Sequence, residues 1–233
     1  MCGRFAMKGS KRDPKDPREV EGFSHLRIIY RGQSLLRDRD RYNIAPRETI
    51  GIVRTTAAGV AEEAALWTLI PTFAASPQAW KFSTFNAKAE TIRTAASFRE
   101  AWKRGQRCLV PASALYEWKQ VGGEKHPYAI CRCDRTAFAF AGLYSERPDG
   151  FSVTIITLAP NALFAPLHHR MAMILPRAEY APWLDPDTPL DRAFALLRPW
   201  DPADFEAYRV SSYVSNARHQ GPECLEPLVA SSP

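Results

Sequence analysis

Three features of this 233-residue chain predict a β-rich α+β fold, an open or half-closed antiparallel barrel with peripheral helices. Short segments rich in β-branched and aromatic residues recur at roughly regular intervals, bounded by Pro, Gly or charged clusters. Helical patterns are few and do not alternate with the strands, which argues against a doubly wound parallel sheet. The 19 prolines and 12 glycines supply the turn chemistry that many short strands require. No Gly/Ser linker, repeat or low-complexity run divides residues 1–233, so one domain is expected, with a short flexible tail at about 228–233.

In chain order, residues 8–18 (KGSKRDPKDPR) combine alternating charge with Pro14 and Pro17 and read as an exposed loop. GIVRT (51–55) and AALWTLI (64–70) are the first strong strand signals. Residues 89–102 carry apolar and charged positions at helical spacing. The strand pattern resumes at RCLVP (107–111), YAICRC (128–133), FAFAGLYS (138–145) and FSVTIITLA (151–159). Residues 175–184 read as a short helix stopped by Asp185 and Pro186.

A hydrophobic content of 45% suffices for a core and excludes disorder. No run approaches the roughly 20 apolar residues of a membrane span. The N-terminus lacks a secretory-signal pattern, so a cytoplasmic protein is expected, nucleoid-associated if bacterial. Five cysteines (Cys2, Cys108, Cys131, Cys133 and Cys224) show no paired CxxC spacing, and the five histidines no HExxH pattern, so neither disulfides, metal nor cofactor is implied. Cys131 and Cys133 fall on one face of an apparent strand and read as structural. An excess of 31 Lys+Arg over 25 Asp+Glu leaves +6, which favours polyanionic partners.

Cys2 follows the initiator methionine. Removing Met1 would expose an α-amine and a thiol on one residue, a 1,2-aminothiol that can condense with an aldehyde. The amine forms a Schiff base and the thiol adds to the same carbon, closing a five-membered thiazolidine. A free α-amine titrates at about 7.7–8.0 and a free cysteine near 8.5, so neither nucleophile needs strong perturbation.

Polar residues interrupt apolar context in three internal clusters: FNAKAET (85–91), ALYEWK (114–119) and PLHHRMAMIL (166–175). Glu117 stands between Tyr116 and Trp118, where desolvation would raise its pKa and suit it to proton exchange; the alternative is a surface glutamate on an edge strand. His168 or His169 could supply a second proton-transfer group, or be a hydrogen-bonded structural histidine. Arg170 and Lys88 suit phosphate positioning, and Asn86 could donate to a developing oxygen charge or orient a sugar hydroxyl.

The order of MCGRF (1–5), RYNIAP (41–46), WTLIP (67–71), FNAKAET, CLVPASALYEW (108–118), FAGLY (140–144) and LHHRM (167–171) closely resembles the SRAP family, the SOS response-associated peptidase-like proteins that sense abasic sites in DNA. KHPY (125–128), TLAPNA (157–162), WLDP (183–186) and VSN (214–216) extend the resemblance over nearly the whole chain. It implies covalent capture by Cys2 of ring-opened abasic sites in single-stranded DNA, with possible lyase activity; separately, a monomer that engages no membrane and needs no cofactor is expected. It further implies that Asn86 positions the nucleophile and opened sugar, Glu117 transfers protons, and His168 assists Schiff-base chemistry and reversal. Arg4, Lys88 and Arg170 match phosphate-contacting positions, Trp67, Phe82 and Trp118 base-stacking or wedge positions, and Pro46 a pocket-shaping one.

Four positions depart from the family pattern. Lys88 stands where arginine is usual, exchanging a bidentate fork for a point charge. Thr68 replaces a glycine, Phe73 a frequent tryptophan, and Ala172 a proline. The competing readings are a thiol peptidase in which Cys2 attacks an amide after self-removal of the leader, and a non-catalytic nucleic-acid-binding barrel.

Overall fold

The computed structural model describes residues 3–8, 23, 34–36 and 40–228. Cys2 and the expected basic loop beyond Lys8 lie outside the described residues. The strands are β1 (Phe5–Met7), β2 (Arg41–Ile44), β3 (Thr49–Thr56), β4 (Gly59–Trp67), β5 (Asn86–Lys88), β6 (Arg107–Ala112), β7 (Ala114–Val121), β8 (Glu124–Arg132), β9 (Phe138–Arg147), β10 (Gly150–Leu158), β11 (Met171–Ala172), β12 (Ile174–Leu175) and β13 (Phe205–Arg209). Among the described residues three short helices accompany them: α1 (Arg99–Lys103), α2 (Tyr180–Leu184) and α3 (Leu190–Ala195). The fold is β-rich α+β, and every predicted strand signal falls in a strand, although the 64–70 segment leaves the sheet after Trp67.

Both predicted helices are shorter than their patterns. Residues 89–102 break into a 3-10 turn at Ala89–Thr91, further turns, and α1. The Thr91 and Thr94 hydroxyls each donate to the carbonyl three residues back, at 3.4 and 3.3 Å, a local alternative to a continuous helical ladder. In 175–184, Leu175 belongs to β12, because Pro176 disfavours helical backbone at the residue before it. A 3-10 turn at Arg177–Glu179 then leads into α2, which stops at an extended Asp185.

β4, β3, β6, β9 and β10 form a ring, and β10 closes it by pairing antiparallel with β9 and parallel with β4. The barrel is therefore fully closed, with one parallel joint (Phe151↔Ala65 to Val153↔Trp67) among antiparallel ones. Closure brings strands close at Gly142: a Cβ there would lie 2.9 Å from Cys108 Sγ and 3.1 Å from the Thr154 carbonyl oxygen. Beyond its pairing with β4, β10 continues between β5 on that same side and β11 on the other, so that Thr157 lies across from both Lys88 and Ala172. This extension carries half of the candidate site.

A second, five-stranded antiparallel sheet runs β13-β8-β7-β1-β2. Its residues alternate between faces with period two. Phe5, Met7, Leu115 and Ile130 join the main core, where Phe5 meets Trp67 and Phe140 edge-on at centroid distances of 5.0 and 5.8 Å. Ala6, Ala114, Tyr116, Ala129 and Cys131 form a smaller core on the other face with Val210, Val214 and Cys224. Leu228, at the start of the expected flexible tail, donates its backbone N–H to the Arg209 carbonyl at 2.8 Å, so the described chain is held through that residue. Among the described residues no helix is long and apolar enough to cross a membrane.

Candidate functional site

Glu117 lies on β7, between β1 and β8, so it is an interior strand residue and not the edge-strand surface glutamate of the alternative reading. It shares its face with Leu115 and is only 3% exposed. Burial pushes its pKa up to about 7, while the positive charge of the chain's amino terminus and a hydrogen bond from the Trp118 backbone pull it down. The beginning of the described chain runs directly alongside. Phe5 pairs with Leu115 and the Tyr116 N–H donates to the Arg4 carbonyl at 3.0 Å, so extending the antiparallel register sets Gly3 opposite Glu117.

The second half of the site gathers around the far end of β10. Asn86 and Lys88 are β5 residues paired with Ile155 and Thr157. Asn86 is half-buried and Lys88 is exposed, with no ion pair to a carboxylate among the described residues. Across β10, His168 and Arg170 occupy the turn entering β11. His168 Nδ1 sits 3.0 Å from both the backbone nitrogen and the carbonyl oxygen of Arg170, and its ring stacks on His169 at 4.2 Å. Burial holds the His168 pKa below its ordinary value, the amino-terminal charge pushing the same way and the Arg170 backbone opposing. The same terminal charge thus acts on both Glu117 and His168.

Trp67 joins the two halves, but not as the base-stacking residue expected from sequence. It is completely buried, with neither ring face available to a nucleobase. It meets Phe5 and Phe85 edge-on, at 5.0 and 6.0 Å, and its Nε1–H donates to the Phe85 carbonyl at 2.9 Å. That carbonyl also accepts from the Ile155 N–H at 3.0 Å, so the peptide leading into Asn86 is held twice. A tryptophan in the middle of a core is a packing anchor first.

Between Trp67 and Asn86 the chain makes an excursion, residues 68–85, and returns to the same side of β10. Its base is pinned by Thr84 Oγ1, which donates to the Leu69 carbonyl at 2.7 Å and accepts from Trp80 Nε1 at 3.0 Å. Trp80 is buried and serves as a pedestal for two exposed rings: Phe82, 66% exposed at 4.8 Å, and Phe73, 61% exposed at 5.9 Å. Phe82, a base-stacking or wedge position by the resemblance, turns its ring to solvent. Phe73, noted in the sequence only as a departure, is a second exposed aromatic of this excursion, and the signal for it was its nearness in the chain to Trp80 and Phe82. Pro46 opens the neighbouring turn, where Arg47 adopts φ 70° and reaches the Trp80 carbonyl at 3.4 Å. Trp118, half-buried, donates from Nε1 to Ser215 Oγ at 3.0 Å and lies under the Arg4 guanidinium at 5.7 Å.

Two of the three expected phosphate cations are already engaged. Arg4 donates to Asn43 Oδ1 at 2.7 Å and to the Val214 and Ser215 carbonyls at 2.9 and 3.4 Å. Asn43 in turn donates to the carbonyls of Val214, Asn216 and His219, so Arg4 braces the C-terminal segment instead of presenting an open fork. Arg170 is clamped by Glu90, Nη1 to Oε1 at 2.7 Å and Nη2 to Oε2 at 2.9 Å. Lys88 remains the cation presented to solvent. Among the described residues no cluster of His, Cys, Asp and Glu could hold a metal.

Comparison with known proteins matches residues 1–217 to the family described as SOS response associated peptidase (SRAP). The abasic site processing protein YoqW of Bacillus subtilis (strain 168) is 34% identical, the alignment covering 97% of this chain and 99% of that protein. The abasic site processing protein HMCES of Gallus gallus is 30% identical over 70% of this chain and 56% of its own length. Among solved structures, a protein from Bacteroides thetaiotaomicron superposes with a TM-score of 0.79 at 24% identity over 98% of this chain and 100% of that one. A phage-related protein from Bordetella bronchiseptica gives 0.70 at 27% identity over 90% and 94%. With a match over most of its length and relatives aligned almost end to end, this chain belongs to the SRAP family.

Proposed function

We propose that this protein processes abasic sites in DNA by covalent capture of the ring-opened aldehyde in single-stranded DNA. With Met1 removed, the Cys2 amine adds to the aldehyde carbon to give a carbinolamine, which loses water to become a Schiff base. The thiol then adds across the C=N bond, its hydrogen ending on nitrogen, and the thiazolidine closes. The names of the relatives as abasic site processing proteins support the substrate class.

The observation that carries the reading is a buried carboxyl beside the described beginning of the chain, opposite Gly3 in the extended β1–β7 register. Two peptide units reach at most about 7 Å, so covalent geometry keeps residue 2 near Arg4, whose carbonyl accepts from the residue preceding Glu117. With a pKa of about 7, Glu117 populates both protonation states near neutrality. It can take a proton from the attacking amine and return one to the departing hydroxyl. Asn86 orients the nucleophile and the opened sugar. His168 moves protons at the sugar oxygen and in reversal, and β-elimination by the same groups would account for lyase activity. Lys88 contacts phosphate, while Phe73, Phe82 and Trp118 offer ring faces to unstacked bases, a sequence-tolerant mode of single-strand binding. Pro46 shapes the pocket beside the aromatic excursion.

The test is to incubate the purified protein with single-stranded DNA bearing one abasic site and run a denaturing gel. A heat-stable protein–DNA band that requires Cys2 is expected. Failure to form it, with DNA left intact and a peptide substrate cleaved, would favour the Cys2-dependent peptidase instead.

A further inference from the structure

We propose that Glu90 is a positioning residue for His168, acting through Arg170. The proposal deepens the reading of His168 as a proton-transfer group and rests on it for its kinetic consequence.

Glu90 follows β5 and Arg170 precedes β11, so their side chains meet from opposite sides of β10. The pair is end-on and bidentate, and Arg170 Nη2 also donates to the Thr157 carbonyl of β10 at 2.7 Å. The guanidinium is thus held to β10 and to the turn after β5 at once. Its side chain is 12% exposed, so the contact is more restrained than a freely solvated surface pair, although the Glu90 side chain is 55% exposed. The hydrogen bond from Arg170 also holds the Glu90 pKa below the ordinary carboxylate range, so Glu90 is ionised at neutral pH.

The consequence passes along the Arg170 backbone. Both its N–H and its carbonyl lie 3.0 Å from His168 Nδ1, so this nitrogen faces the turn in either neutral tautomer. Nε2 is then the ring nitrogen turned away from that backbone, the atom through which His168 can serve a substrate. A second partner that fixes one imidazole nitrogen determines the use of the other. Arg170, expected from the resemblance to grip phosphate, is in this arrangement a strut between Glu90 and the histidine turn.

The experiment compares wild type, Glu90→Gln and Glu90→Ala, with folding checked by thermal unfolding. Ring 15N and 13C spectra of the DNA-free protein are recorded, the His168 signals being identified by their loss in His168→Gln. In the wild type a ring held against the Arg170 backbone should give one sharp set of His168 ring signals. In Glu90→Ala those signals should shift and broaden as the ring samples other orientations, with Glu90→Gln intermediate. Unchanged His168 signals in both variants would overturn the proposal. On abasic single-stranded DNA, release of captured DNA should slow roughly 10-fold in Glu90→Ala, a fraction of what a general acid or base supplies. Final capture yield should hold, and the release defect should vanish in a His168→Gln background; an additive defect would refute action through His168. The spectra need no DNA, so a wild type that captures nothing would sink the proposed function and leave the positioning of His168 to be judged on its own.

Discussion

Glu117→Gln keeps the shape of the buried side chain and removes its titration. Burial that lifts this carboxyl to about 7 corresponds to about 3 kcal/mol of pH-dependent stability. The folded-state pKa is raised, so the contribution is fully present below the unfolded pKa and is lost as pH rises through the folded one. Most of that contribution disappears between pH 5 and pH 8. The glutamine variant has no such loss. Its Tm should therefore gain on the wild type by roughly 5–10 °C over that interval for a chain of this size. Measuring both proteins by calorimetry in matched buffers cancels the titration of every other group. The capture rate at saturating DNA should show a wild-type inflection near pH 7 that the variant lacks, with a slower rate throughout. Parallel Tm curves from pH 5 to pH 8 would refute the assignment of Glu117 as a buried acid with a raised pKa, whatever the kinetics showed.

Cys2→Ala should abolish the heat-stable cross-link while leaving DNA binding intact, and borohydride should trap a residual imine formed through the alanine amine; undiminished cross-linking without reductant would exclude the thiazolidine. Lys88→Ala should weaken binding more than chemistry and make the salt dependence of single-strand affinity shallower by about 0.7 in log–log slope, as titration of fluorescent oligonucleotides would measure. Phe73→Ala and Phe82→Ala should each weaken single-strand binding by about 1–3 kcal/mol if each ring stacks on a base, with little change in Tm because both rings are exposed. Trp67→Ala should show the opposite balance, a loss of about 3–5 kcal/mol in unfolding free energy from a large core cavity, and wild-type stability in that variant would contradict its role as a packing anchor.

Much of the architecture was legible in one dimension, because strand formation leaves a period-two and compositional trace that does not depend on distant partners. The segments that became β3, β6, β8, β9 and β10 stand out for that reason, and so do the clusters around Asn86, Glu117 and His168, where polar groups interrupt apolar runs. The proposed chemistry of Cys2 likewise starts from the sequence, since it needs only two functional groups on one residue. Lengths of helices were less so: the threonine hydroxyls at 91 and 94 and the proline at 176 shortened both patterns by local competition.

Tertiary structure alone decided what each side chain faces. A tryptophan signals aromatic surface or aromatic core equally in sequence, and only the packing of Phe5 and Phe85 around Trp67 assigns it to the core. Arginines at positions 4 and 170 read as free cations until Asn43, distant carbonyls and Glu90 occupy them. The pairing of β10 with both β4 and β9, which closes the barrel, joins residues far apart in the chain and leaves no local signature. Composition and spacing record what a residue can do within its own segment. Burial, charge neutralisation and ring closure depend on residues that only the folded chain brings within reach.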